Sequence, residues 1–212
     1  MSFYSPSDSK FTRLYHEEVE IAFSAIDCVL NREKSIYGSA ELTTGLRLYE
    51  ALREHKVKTR DELKQKMGAA WFTANIWNPN VKSARDFAES VRHTLDDGTM
   101  VITPAPFSAP GWSQPEYLAF WETLLRTRTK SVWFSRNWQY SNGCTFEFAV
   151  AEDAGLPTFD HEGRPLGRSK GIELMGGAIQ SLDEDGFNTS TLAENLKRVQ
   201  TIGVRTREAF PV

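Results

Sequence analysis

The sequence predicts an α/β fold, a parallel sheet with helices on both faces, preceded by a helical N-terminal extension. Three observations predict it. From residue 69 onward, short apolar runs alternate with longer segments of helical periodicity, and such alternation implies right-handed βαβ crossovers. The composition is that of a globular chain, 40% hydrophobic and 25% charged over 212 residues, enough to bury a core without metal or disulfides. Ahead of the alternating part, residues 11 to 68 read mainly as helices.

The elements follow in order. Residues 1 to 9 read as a loose tail. Phe11, Leu14, Val19, Ala22, Phe23, Ile26, Val29 and Leu30 recur at the spacing of one helix, ending near Asn31. A second helix is predicted from Ala40 to His55 on Leu42, Leu46, Leu48, Tyr49 and Leu52. Thr59 with Glu62 three residues later forms a capping box that opens a third helix, ending near Gly68. Residues 1–68 are therefore expected as the extension and 69–212 as the α/β domain. The stretch LYEALREHKVKTRDEL resembles a helix-turn-helix, but its second helix is short and its charges are mixed, which suits two packed helices better than a DNA reader.

Ala69 to Ala74 is a mostly apolar run, placed as the first buried strand. Asn78-Pro79-Asn80 reads as a turn, Ser83 to Leu95 as an amphipathic helix, and Asp96-Asp97-Gly98 as its stop. Met100-Val101-Ile102 is the second strand, followed by a proline-rich loop and a helix from Gln114 to Arg128. Ser131 to Ser135 is the third strand, Cys144 to Ala154 a helix, and Pro157-Thr158-Phe159 the fourth strand. Helical patterns at Gly171 to Leu182 and Ser190 to Thr201 close the chain. A rival first strand at Ser35 to Ser39 ranks second, because it inserts a helical hairpin before the second strand. The expected architecture is Rossmann-like, and its ligands bind outside the carboxyl ends of the strands.

Charge and cysteine usage narrow the function. The net charge is −3 with Lys and Arg spread along the chain, which disfavours a nucleic-acid surface. Cys28 and Cys144 lie outside any CxxC spacing, as free thiols of a reducing compartment do. His16, His55, His93 and His161 form no zinc pattern, so neither metal nor cofactor is expected. The N-terminal residues are polar, and no apolar stretch approaches the roughly 20 residues of a membrane span. A soluble, cytoplasmic protein is expected, with no membrane partner.

The chemistry is sought between Phe134 and Glu147. There a strand ends, a polar loop follows, and a helix begins. A helix N-terminus suits a phosphate, Gly143 permits close backbone approach, and Ser141 adds a hydroxyl. Glu147 is placed in the first helical turn, beside whatever the loop holds. An ordinary capped helix shows the same residue types.

The pattern Trp138-x-x-Ser141-x-Gly143-x-x-x-Glu147-x-x-x-Ala151-x-x-x-Gly155-x-Pro157 resembles the signature of the nucleoside 2-deoxyribosyltransferase superfamily. That superfamily includes N-hydrolases of nucleoside 5′-monophosphates. The likeness extends more weakly from Trp71 to Phe159 and leaves residues 1–68 uncovered. It implies that Ser141, Asn142 and Gly143 hold the 5′ end of a nucleotide or nucleoside substrate, that Glu147 attacks the anomeric carbon, and that the chain forms a homodimer. A carboxylate suits this bond, because breaking it builds oxocarbenium character that an anion stabilises or captures covalently.

The departing base also needs a proton donor. The family often carries an Asp at the start of the third strand, where this chain has Lys130-Ser131; Glu122, in the preceding helix, is the candidate acid. Asn75 is a candidate for hydrogen bonding a base or ribose, and Arg136 for the phosphate. Trp138 either stacks on a base or braces the loop, and the loop from Pro106 to Trp112 either closes over a base or packs on the surface. Two other functions stay open: a nucleotide-binding module of the same fold without catalysis, and an interaction protein using its helical N-terminus.

Overall fold

The computed structural model describes residues 20–26, 35–95, 98–105 and 107–202. The expected N-terminal tail, most of the first predicted helix, Cys28, the Asp96-Asp97 stop and Pro106 lie outside them. The fold is α/β and Rossmann-like, as expected: strands β1 (Ser35–Ser39), β2 (Met100–Ile102), β3 (Ser131–Phe134) and β4 (Thr158–Phe159) form one parallel sheet in the order β2-β1-β3-β4. The helices are α1 (Leu46–Glu54), α2 (Arg60–Met67), α3 (Ala69–Phe72), α4 (Asn78–Thr94), α5 (Gln114–Arg128), α6 (Asn142–Asp153), α7 (Arg168–Glu184) and α8 (Ser190–Thr201). Residues 20–26 are helical, and Phe23 packs on Phe120 of α5 with ring centroids 5.0 Å apart.

The first strand is the second-ranked one. Ser35–Ser39 pairs with β2 on one side, with Ile36 opposite Val101, and with β3 on the other, with Tyr37 opposite Val132. All five of its residues are buried. The run at Ala69 to Ala74, expected as that strand, is instead helical and continues through a π-helical turn, Thr73–Trp77, into α4. Its apolar residues serve a helix: Phe72 and Ile76, four apart, are buried with Leu52, Leu63 and Leu182, while Ala69, Ala70 and Ala74 are exposed. Asn78-Pro79-Asn80 is the start of α4 rather than a turn. A wide π turn loosens the hydrogen-bond ladder ahead of a proline that has no N–H to contribute.

The predicted boundary at 68/69 cuts through the sheet, because the inner strand β1 precedes it and β2, β3 and β4 follow. Leu48, Tyr49 and Leu52 of α1 and Leu63 of α2 share a core with Leu182 of α7, Phe187 and Leu192 of α8. The Thr59 half of the expected capping box forms, its Oγ1 accepting the Glu62 N–H at 3.1 Å, but Glu62 Oε2 accepts the N–H of Lys58, one residue before the cap, at 2.8 Å rather than that of Thr59.

Side chains alternate across the sheet. Tyr37, Val132 and Phe134 join the cluster that holds Phe120, Leu124 and Leu125 of α5 and Phe148 of α6. Ile36, Val101 and Trp133 join Ala88 and Val91 of α4. From β1 the chain winds to β2 at the edge, then back across β1 to β3 and on to β4. The winding reverses between β1 and β3, and loops at such a reversal part to leave a crevice at the carboxyl ends of the strands. Among the described residues, no helix is long and apolar enough to cross a membrane.

Candidate functional site at the carboxyl end of the central strand

Glu147 projects from α6 onto β1. The helix begins at Asn142, so Glu147 lies in its second turn rather than the first, and the first turn holds no acidic residue. The helix dipole is therefore not what holds the carboxylate. Instead Tyr37 Oη donates to Glu147 Oε1 at 2.7 Å, and Ser39 Oγ donates to Oε2 at 2.6 Å. Both donors stand on one face of β1, two residues apart. Glu147 is only 6% exposed.

Burial pushes the Glu147 carboxyl up to about 7, against the downward pull of the Ser39 and Tyr37 hydroxyls. Burial and then the Glu147 charge hold the Tyr37 phenol well above its ordinary range. Burial, followed by the same charge, also raises the neighbouring Cys144 thiol, which is therefore protonated and a poor nucleophile. Of these three groups, Glu147 is the one that burial brings toward neutrality from below.

The loop after β1 is tied to the start of α6. Ser141 caps that helix, its Oγ accepting the Cys144 N–H at 3.4 Å. Thr44 Oγ1 accepts the Asn142 N–H at 3.1 Å and lies 3.4 Å from Ser141 Oγ. The Asn142 carbonyl accepts from Asn195 Nδ2 of α8 at 3.2 Å. Ser141 and Asn142 thus hold the corner together, and Thr44 already occupies part of the helix N-terminus expected to face a phosphate. Gly143 is less constrained, for a Cβ there would meet only Ser141 Oγ, at 3.9 Å.

A cavity of about 380 Å³ opens over the reversal between β1 and β3. Ala40 and Glu41 line it from the loop after β1, Ser135, Arg136 and Asn137 from the loop after β3, and His161 from beyond β4. Arg47 of α1 and a face of α4 that includes Ser83, Phe87 and Ser90 form the rest of its wall. Glu147 does not line it. The two features meet at the end of β1, where Ser39 bonds to Glu147 and the next residue, Ala40, faces the cavity.

Glu41, which sequence reasoning passed over inside an expected helix, is a second shielded carboxyl. Its Oε2 accepts the Leu46 N–H at 3.0 Å. Burial pushes it up to about 7, outweighing the opposing effects of that N–H and of Arg47.

The remaining candidates separate. Arg136 does stand at the cavity, with its side chain 74% exposed and Nη2 3.8 Å from Glu162 Oε1. Trp138 is buried between Phe134 and Phe148, each with a ring centroid 4.8 Å away, so it braces the loop and cannot stack on a base. Glu122 is bound elsewhere: its Oε1 takes Nη2 of both Arg126, at 2.9 Å, and Arg198, at 3.0 Å. That ion-pair network joins α5 to α8 and contains no contact with Glu147. Asn75 is exposed in the π turn and donates to the Trp71 carbonyl at 2.9 Å, the back-bond of a helical side chain. Phe107 stacks on Phe120 at 4.7 Å and Trp112 meets the same ring edge-on at 5.5 Å, which packs that loop on the core.

Tyr37, Ser39, Glu41 and Thr44 are the site residues that sequence reasoning missed. The signal was the Tyr-Gly-Ser ending of the rival strand, followed by a polar loop. Among the described residues, no group of three or more His, Cys, Asp or Glu is arranged to hold a metal ion. Comparison of the chain with protein-family models, with curated proteins and with solved structures finds no match in any of the three.

Proposed function

We propose that the chain is an N-glycosidase that hydrolyses the base–sugar bond of a nucleoside 5′-monophosphate, with Glu147 as nucleophile. The observation that carries this reading is a buried carboxylate, held by Tyr37 and Ser39, at the carboxyl end of the central parallel strand. Two fixed hydroxyls aim a carboxylate without neutralising it, as attack on an anomeric carbon requires. Arg47 and Arg136 at the cavity supply positive charge suited to the 5′-phosphate. The resemblance of the Ser141-Gly143-Glu147 spacing to the deoxyribosyltransferase superfamily supports the same chemistry. Transfer of the sugar to an acceptor base would share the first half of the reaction.

The test is incubation of the purified protein with a panel of nucleosides and nucleotides, with free base measured by chromatography. Release from a 5′-monophosphate that Glu147→Gln abolishes is the expected result. Undiminished release by that variant would remove Glu147 from the mechanism.

One observation favours a second reading, a nucleotide-binding module without turnover: Glu147 is nearly fully buried and stands off the cavity wall. Thermal stabilisation by a nucleotide that remains intact after long incubation would establish it. A cytoplasmic homodimer is the assembly that accompanies the enzymatic reading; light scattering after size exclusion tests the dimer.

A further inference from the structure

We infer that Glu41 is the general acid of the proposed N-glycosidase, giving its proton to the departing base; the inference rests on that reading of the site. A glycosidase built on one carboxylate is incomplete, since a base leaves poorly as an anion. The carboxyl first expected to fill this role, Glu122, is committed to Arg126 and Arg198. Glu41 lines the cavity, two residues beyond the Ser39 that holds Glu147. The end of β1 links the two carboxyls: Ser39 bonds Glu147, and Ala40 and Glu41, the next two residues, line the cavity.

The position of Glu41 is built. Gly45 sits at φ 130°, and a Cβ there would overlap the Glu41 carboxyl. Oε2 is anchored on the Leu46 N–H; among the described residues Oε1 has no hydrogen-bond partner, so it is the oxygen free to meet a ligand. An ordinary carboxylate at a helix start is held ionised by the dipole. Burial reverses that here and lifts Glu41 to about 7, with Arg47 and the Leu46 N–H pulling it down and Glu50 pushing it up. It therefore carries a transferable proton near neutrality. Arg47 and Glu50 on α1, Cys144 on α6, and Arg136 and His161 across the cavity are the ionisable groups around it.

The step balances as follows. The C1′–N bond breaks with its electron pair going to the base nitrogen, which takes the proton from Glu41; a Glu147 oxygen bonds to C1′. Water then attacks C1′, Glu41 accepts the proton of that water, and the Glu147–C1′ bond breaks to restore both side chains. The net reaction is nucleotide plus water to base plus sugar phosphate.

The test compares wild type, Glu41→Gln and Glu147→Gln on a nucleoside 5′-monophosphate and on 4-nitrophenyl 2-deoxyriboside 5-phosphate, whose phenolate leaves without a proton. Glutamine retains an acceptor for the Leu46 N–H, and a melting curve checks the fold. Glu41→Gln should lose about 10²- to 10⁴-fold on the nucleotide and under about tenfold on the aryl substrate, while Glu147→Gln loses both. Equal losses on the two substrates, or full activity of Glu41→Gln on the nucleotide, would overturn the role of Glu41 and leave the N-glycosidase reading standing. A wild type that cleaves neither substrate would overturn both. Glu41→Asp, which keeps the acid but withdraws it by one methylene, should fall between wild type and Glu41→Gln on the nucleotide; activity no higher than that of Glu41→Gln would argue for a purely structural carboxyl.

Discussion

Ser39 Oγ lies 2.6 Å from Glu147 Oε2, joining two residues 108 positions apart at the end of the central strand. Removing that donor should raise the Glu147 carboxyl further, because the bond stabilises only the charged form. In Ser39→Ala the acidic limb of the pH–rate profile should therefore move to higher pH, with a loss of activity of about tenfold near neutrality, the scale of one hydrogen bond to a charged group. An unmoved limb would detach Ser39 from the titration of Glu147.

The same carboxyl sets a stability trend. Its folded-state value, about 7, is above its ordinary 4.5, so the folded protein holds the proton more tightly than the unfolded chain. Stability from this group is complete below about 4.5 and is lost as pH rises through about 7. Glu147→Gln, which stays neutral, should melt several degrees above wild type at pH 8 and close to it at pH 5, as read by calorimetry. A fall in melting temperature at pH 8 would mean that the Tyr37 and Ser39 hydroxyls need the charge more than burial resists it.

Glu122 gives the opposite result to a catalytic acid. Glu122→Gln should lower stability by no more than about 1 kcal/mol, since the ion pairs are partly solvated, and should leave base release unchanged. Thermal melts and turnover on the same preparation check both halves.

Trp138 belongs to the core, 3% exposed between Phe134 and Phe148. Trp138→Ala should cost about 3–5 kcal/mol by denaturant titration, the range for emptying a large aromatic site. A stable variant that instead loses nucleotide affinity would restore the stacking role.

Much of this architecture was legible before the fold. Met100–Ile102, Ser131–Phe134 and the Thr158–Phe159 strand each carry short apolar runs bounded by turn or helix signals, and each is a strand. Thr59 and Ser141 are caps, and a cap is a local interaction between a side chain and a backbone N–H close by in sequence. Glu147 stood out because a Ser-Gly loop leads into its helix.

The central strand was a different case. Ser-Ile-Tyr-Gly-Ser has few apolar residues, and its burial comes from β2, β3 and the helices on both faces rather than from its own pattern. Ala69–Ala74 looked more like a strand, yet contacts of Phe72 and Ile76 with α1, α2 and α7 decided for a helix. By itself the sequence determined the α/β alternation, the caps and the one carboxylate after the Ser-Gly loop, because these depend on neighbours a few residues apart. Only the tertiary structure decided what surrounds that carboxylate. Tyr37, Ser39 and Glu41 reach the site through a strand whose place is set by pairing and packing over a hundred positions, and the same burial lifts both glutamates toward neutrality.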